Sequence, residues 1–243
     1  MDSSLMNGRQ SKKLSQSALK ALSSEILCRF AEAMPAARCE LFYLSPYQLL
    51  CSVVLSAQAT DKQVNKIMEP IYLKGFTPDS VLANGEAHLL SQIRSIGLSP
   101  TKAKNIIKLT HKIVSDHQGN VPNTREELEA LAGVGRKTAN VVLGELFGEP
   151  MLAVDTHVFR VGSRLGLHQS KNPEQAEIQL LKLIDTSYLP RAGHWFILHG
   201  RYVCKAIKPD CPNCLLSDLC PTYKHLQINL PKISRNRPRA ARI

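Results

Sequence analysis

The chain has 243 residues, 44% hydrophobic and 21% charged, enough to bury a core in one large domain or two small ones. No stretch nears the roughly 18 apolar residues of a membrane span, and the N-terminus lacks the apolar segment of a signal peptide. A membrane protein and a secreted disulfide scaffold are therefore not expected. The formal net charge is +11, which points to a polyanionic partner, although residues 1–20 hold +3 of it and residues 229–243 hold +5.

In chain order, residues 1–17 are polar and rich in Ser and Gln, and read as a tail. Ser45-Pro46 places a cap residue before a proline at a first helical position, and an apolar run follows from Leu49 to Ala57. Ser99-Pro100 repeats the cap-and-proline signal ahead of Ala103, Ile106, Ile107, Thr110, Ile113 and Val114, which recur at helical spacing. Arg94 to Lys112 holds five basic residues and no acid. Thr124 and Glu127 have the spacing of a capping box. Ala139, Val142, Leu143, Leu146 and Phe147 mark another amphipathic helix. Gly75, Gly97, Gly119, Gly148 and Gly166 read as helix stops. No alternating strand pair stands out. The expectation is an all-α fold of about ten helices, with a second, basic tail over 229–243.

Two glycines stand between a short capped helix and a strongly amphipathic one, in Leu131-Ala132-Gly133-Val134-Gly135-Arg136-Lys137-Thr138. Such a turn brings backbone close to a ligand and aims N–H groups outward at a helix N-terminus, a natural phosphate site. Arg136 and Lys137 strengthen that reading. Lys137 falls in the first helical turn, where the helix dipole and Arg136 disfavour an ammonium. A lysine so placed can act as an amine nucleophile, although by itself a solvated or phosphate-binding lysine is the simpler role. Asp155, in Ala-Val-Asp-Thr-His-Val, reads first as a helix cap and second as a carboxylate beside a cleft, where it could take a proton from Lys137.

Four of the seven cysteines, Cys204, Cys211, Cys214 and Cys220, fall in the pattern C-x6-C-x2-C-x5-C. Thiolates so close together suit zinc or an iron–sulfur cluster, and the single C-x2-C with unequal arms favours iron–sulfur. Cys28, Cys39 and Cys51 lie in helical, partly apolar segments and read as buried free thiols.

These residues together resemble the endonuclease III family of the helix-hairpin-helix superfamily of DNA glycosylases. The resemblance rests on Ser56-Ala57-Gln58-Ala59-Thr60-Asp61, Ile96-Gly97-Leu98, Gly133 to Ala139, Val154-Asp155-Thr156-His157, His199-Gly200-Arg201-Tyr202 and the four cysteines, and spans about residues 18–227. It implies a 4Fe-4S cluster on those cysteines. It also implies two helical domains: a six-helix barrel with the helix-hairpin-helix over 39–149, and an iron–sulfur cluster domain from 18–38 with 150–228. A DNA-binding cleft would lie between them.

The implied activity is base-excision repair. Oxidised pyrimidines would be released from double-stranded DNA, and the strand cleaved at the abasic site by β-elimination through a Lys137 Schiff base, with Asp155 assisting. Gln58 and Leu98 would fill the gap left by an extruded nucleotide. Gly133, Val134, Gly135 and Arg136 would hold phosphate, and Lys205 and Lys208 would meet the backbone. A monomer in the bacterial cytoplasm is expected. Ala132, Ser99 and Gly162 depart from frequent family residues and leave lesion preference open. A monofunctional adenine-mismatch glycosylase resembles this chain, but such enzymes generally lack the lysine and carry a large C-terminal domain, whereas 23 residues follow Cys220 here. A non-catalytic DNA-binding or electron-carrying iron–sulfur protein would need no Lys137–Asp155 pair.

Overall fold

The computed structural model describes residues 14–229, which form eleven α-helices and, among the described residues, no strand. None of these helices is long and apolar enough to cross a membrane. Residues 1–13 and 230–243, which hold most of the two expected tails, lie outside the described residues. The first tail ends earlier than position 17. Ser15 accepts a hydrogen bond from Ala18 N at 3.2 Å and opens α1, Gln16–Ala33.

One core gathers around α2, Pro46–Ser56, where every residue from Tyr47 to Leu55 is buried. A helix apolar on all sides must sit inside a ring of others. Around it stand α3, Asp61–Tyr72; α4, Pro78–Ile93; α5, Ser99–His117; α6, Arg125–Glu129; and α7, Arg136–Phe147. Its few polar side chains are paired, which removes the cost of burying them. Tyr47 and Thr110 share a 2.5 Å hydrogen bond, Ser52 meets the Tyr72 hydroxyl at 2.8 Å, and Tyr72 donates to Gln48 O at 3.0 Å.

The second core joins Ile26, Leu27 and Phe30 of α1 to α8, Thr156–Arg164, α9, Pro173–Leu181, and α10, Leu189–Tyr202. The cysteine segment and α11, Pro221–Asn229, complete the chain. Trp195 is fully buried and donates to Met34 O at 2.9 Å, which ties α10 to the end of α1. Arg29 on α1 reaches Leu215 O at 2.9 Å and Asp218 at 2.7 Å, fixing the cysteine segment to the same helix. The chain therefore enters this core, leaves to build the first, and returns after α7.

Four local expectations need correction. Ser99 does not cap α5. Leu98 occupies that position in a left-handed conformation, with φ 62° and no capping side chain, because the chain turns into the helix directly from Ile96-Gly97. The Thr124–Glu127 box is half formed: Glu127 N donates to Thr124 Oγ1 at 3.3 Å, but the Glu127 carboxylate takes the Thr124 hydroxyl rather than its N–H. The reciprocal box is at Thr77 and Ser80. Gly97 also lacks the positive φ of a helix stop, which Gly75, Gly119, Gly148 and Gly166 all have. Of the thiols read as buried in helices, Cys51 is so placed, whereas Cys28 is exposed on α1 and Cys39 is half-buried in the segment between α1 and α2.

Candidate active site

Gly133 and Gly135 connect α6 to α7, and their reasons for being glycine differ. Gly133 has φ +80°, and a Cβ there would lie 2.9 Å from Asn105 Nδ2. Gly135 is the N-cap of α7 with φ −106°, no capping side chain and open space around it. The first N–H groups of α7 are thus presented without a side-chain cap, the condition for anion binding at a helix N-terminus. Gly133→Ala is expected to cost roughly 1–2 kcal/mol of stability. A thermal melt checks it, with Gly133→Ala/Asn105→Ala regaining part of the loss.

Two residues of this turn are already engaged within the fold. Val134 is buried, and its N–H donates to Leu131 O at 3.1 Å, so neither its side chain nor its amide is free for phosphate. The Arg136 guanidinium is committed to Glu177 on α9, with Nε to Oε2 at 3.0 Å and Nη2 to Oε1 at 3.1 Å. Asn140 adds a bond to Glu177 Oε1 at 3.2 Å. Glu177 sits in the second core with a side chain 6% exposed, so its charge requires this partner. Arg136 is 47% exposed. Arg136→Ala is therefore expected to cost roughly 2 kcal/mol in a denaturant melt, below the about 3–5 kcal/mol of a fully buried pair. Glu177→Gln in that background should return part of it.

Lys137, one residue on, is exposed and lines a cavity of about 220 Å³ between the two cores. Asp155 and Gln58 line the same cavity. Asp155 does cap its helix: Oδ1 accepts from His157 N and Val158 N, both at 2.8 Å, which fixes the carboxylate at the cavity wall. Both of the roles read for Asp155 from the sequence are thus compatible with its position.

Leu98 is not among the residues lining the cavity, yet its loop adjoins that of Gln58. A Cβ on Gly97 would lie 3.9 Å from Gln58 O, and Gln63 Nε2 donates to Ser95 O at 2.6 Å. Gln58 and Leu98 are exposed non-glycine residues at φ 56° and 62°. Such a conformation costs energy, and two of them side by side at the rim of a cavity mark a site where side chains are held outward.

The sequence reading missed the rest of the cavity wall. Glu145 on α7 accepts from Tyr43 Oη at 2.8 Å and lies 3.2 Å from His194 Nε2 on α10. The His194 bond most of all, with that of Tyr43, holds the Glu145 carboxyl below its ordinary value against its partial burial. Arg201 on α10 pairs with Glu40 and, at 2.6 Å, with Asp61, while Tyr202 Oη meets Glu40 at 2.9 Å. Apart from the Tyr43–Glu145 bond, each pair joins a residue of the first core's helices or the segment leading to them with one on α10. Asp61 and Arg201 belong to motifs quoted above, but nothing local in the sequence pairs them.

Behind the cavity, α8 runs from Asp155 to the cysteine segment. Arg160 Nε donates to Cys204 O at 3.2 Å. Arg164 Nη1 reaches Lys205 O at 2.7 Å and Cys204 Sγ at 3.3 Å, and its Nη2 reaches Ala206 O at 3.1 Å. Lys205 and Lys208 are exposed on the loop so held. Cys204, Cys211, Cys214 and Cys220 line one cavity of about 300 Å³. Leu216 N lies 3.4 Å and His199 Nε2 3.5 Å from Cys214 Sγ. Among the described residues no three His, Cys, Asp or Glu side chains stand close enough to hold a single ion. Gly162 leaves room for a neighbour: a Cβ there would lie 2.9 Å from the ring of buried His168.

Residues 51–186 match the HhH-GPD superfamily of base excision DNA repair proteins. Endonuclease III of Rickettsia conorii is 50% identical over 198 residues, covering 82% of this chain and 94% of that protein. Endonuclease III of Escherichia coli K12 is 48% identical over 209 residues, covering 86% and 99%. A solved structure of a trapped endonuclease III–DNA covalent intermediate superposes with a TM-score of 0.80 at 42% identity, covering 88% of this chain and 99% of that one. On its sequence, its all-helical architecture and these likenesses, the chain belongs to the HhH-GPD superfamily of base excision DNA repair proteins.

Proposed function

We propose that this chain is a bifunctional DNA glycosylase and abasic-site lyase that acts on oxidised pyrimidines in duplex DNA, as a monomer in the cytoplasm. The observation that carries the reading is the meeting of Lys137, Asp155 and Gln58 around one cavity between the two cores. Residues 39–149 would form one lip of a DNA cleft, and 18–38 with 150–228 the other.

An enzyme that reacts at a base inside a duplex must first extrude the nucleotide, and a poorly stacked lesion costs less to extrude. Gln58 and Leu98, held outward on adjoining loops, fill the vacated space. The first N–H groups of α7 at Gly135 and the exposed Lys205 and Lys208 hold the phosphate backbone. Lys137 Nζ, its proton taken by Asp155, attacks C1′. The N-glycosidic bond breaks, and its electron pair leaves on the base, which is then protonated. The sugar ring opens to a Schiff base between Lys137 and C1′. Loss of the C2′ proton then drives β-elimination, which breaks the C3′–O bond and frees the 3′ phosphate.

The cysteine site fits a 4Fe-4S cluster. Two sulfurs on one tetrahedral zinc lie roughly 3.8 Å apart, given Zn–S of about 2.3 Å, whereas Cys204, Cys211, Cys214 and Cys220 line one cavity of about 300 Å³ without three of them standing close enough to share a single ion. Bonds from the Arg164 guanidinium and Leu216 N to sulfur suit thiolates that carry negative charge. When bound, the cluster supplies a rigid centre for the loop that presents Lys205 and Lys208, and no step of the chemistry passes through it.

The test is incubation of the purified chain with a duplex carrying thymine glycol in the presence of borohydride, together with iron and sulfide analysis. A covalent adduct, base release and about four irons per chain are expected. A folded, iron-loaded chain that forms no adduct and cleaves no strand is not a lyase.

A further inference from the structure

The catalytic cavity continues past Lys137 to a polar end that the reaction above leaves unused. Lys137, Val141, Gly144 and Glu145 share one face of α7 and all line the cavity. Gly144 and, on α10, Gly193 line the same cavity without side chains of their own. Glu145 closes the far end. Its side chain is 16% exposed, and its two oxygens are oriented by Tyr43 and His194. A carboxylate offers about four acceptor positions, so these two partners leave acceptor capacity on the cavity side.

The size of this space and the chemistry of its far end select a ligand. Glu145 lies eight positions after Lys137 on α7, about 12 Å along the axis at 1.5 Å per residue. The cavity of about 220 Å³ that both residues line admits one extruded base, and Val141 offers it an apolar wall. An ionised carboxylate only accepts hydrogen bonds, so the edge that reaches it must carry an N–H.

We propose that Glu145, fixed by His194 and Tyr43, reads the far edge of the extruded base and selects pyrimidine lesions that present an N–H there. The inference rests on the base-excision function proposed above. A cross-cleft brace without contact to the base would have the same hydrogen bonds, and the experiment separates the two.

Single-turnover rates are measured for the full chain on two duplexes, one carrying thymine glycol, which has a ring N–H, and one carrying a preformed abasic site, which has no base to read. Glu145→Ala is expected to lower the ratio of base release to abasic-site cleavage about 10-fold or more. Glu145→Gln, which keeps an acceptor oxygen, should restore most of the ratio, and Tyr43→Phe should shift it in the same direction by less. An unchanged ratio in Glu145→Ala, whether both rates hold or both fall together, overturns the assignment and leaves Glu145 a brace. A wild-type chain inactive on both duplexes overturns the proposed function and this inference with it, and so is told apart from failure of the inference alone.

Discussion

Lys137→Ala should form no borohydride-trapped adduct and should lose base release and strand cleavage by at least about 10³-fold, since the removed group is the proposed nucleophile. The fold should survive. Lys137 is exposed and occupies the second position of α7, so its truncation is expected to change stability by no more than about 0.5 kcal/mol. Lys137→Arg sharpens the experiment. It keeps the positive charge beside the uncapped start of α7, so DNA affinity should stay near wild type, but a guanidinium does not deprotonate in a protein and cannot become a nucleophile. Loss of chemistry with retained binding in Lys137→Arg would place the nucleophile at this position. Adduct formation by either variant would move it elsewhere.

Substitution can separate the helix-cap role of Asp155 from its proposed role as proton acceptor. As the N-cap of α8 it satisfies two backbone amides through one oxygen, and asparagine caps about as well as aspartate. Asp155→Asn should therefore melt close to wild type, whereas Asp155→Ala should lose roughly 0.5–2 kcal/mol. Activity should divide differently. Neither asparagine nor alanine takes a proton from Lys137 or offsets positive charge on the sugar, so both variants should slow base release by about 10²–10⁴-fold. Paired melts and single-turnover rates check this. Wild-type rates in Asp155→Asn would reduce Asp155 to a helix cap.

The orientation of α8 gives this cap a further consequence. The helix that Asp155 opens ends at Arg164, whose guanidinium holds three consecutive residues of the cysteine loop. The carboxylate at the cavity and the loop carrying Lys205 and Lys208 are thus fixed to opposite ends of one nine-residue helix. That helix is about 13 Å long.

Features written in neighbouring residues were legible from the sequence alone. Helical spacing set the all-α class, Ser45 and Pro46 set the start of α2, and Gly133 and Gly135 marked the turn that presents Lys137. The four cysteines, within 17 residues, marked their own loop. In each case the physical cause acts over a turn or two of chain. Local spacing was less reliable where the surrounding fold competes for the same group. Arg136 reads as a phosphate ligand beside two glycines, but a buried carboxylate 41 residues away holds its guanidinium. Val134 lies in the same turn, but its N–H closes that turn onto Leu131. Glu145 with Tyr43, 102 residues apart, and Arg201 with Asp61, 140 apart, left no trace in the sequence pattern. Periodicity records only which face of a helix is apolar. It carries no information about which polar residues two distant helices bring together. The sequence by itself therefore determined the helices, the lysine-bearing turn and the close spacing of the four cysteines, because their causes are local. Only the tertiary structure decided what lines the cavity and which charges are already paired, because those depend on how the two cores pack against each other.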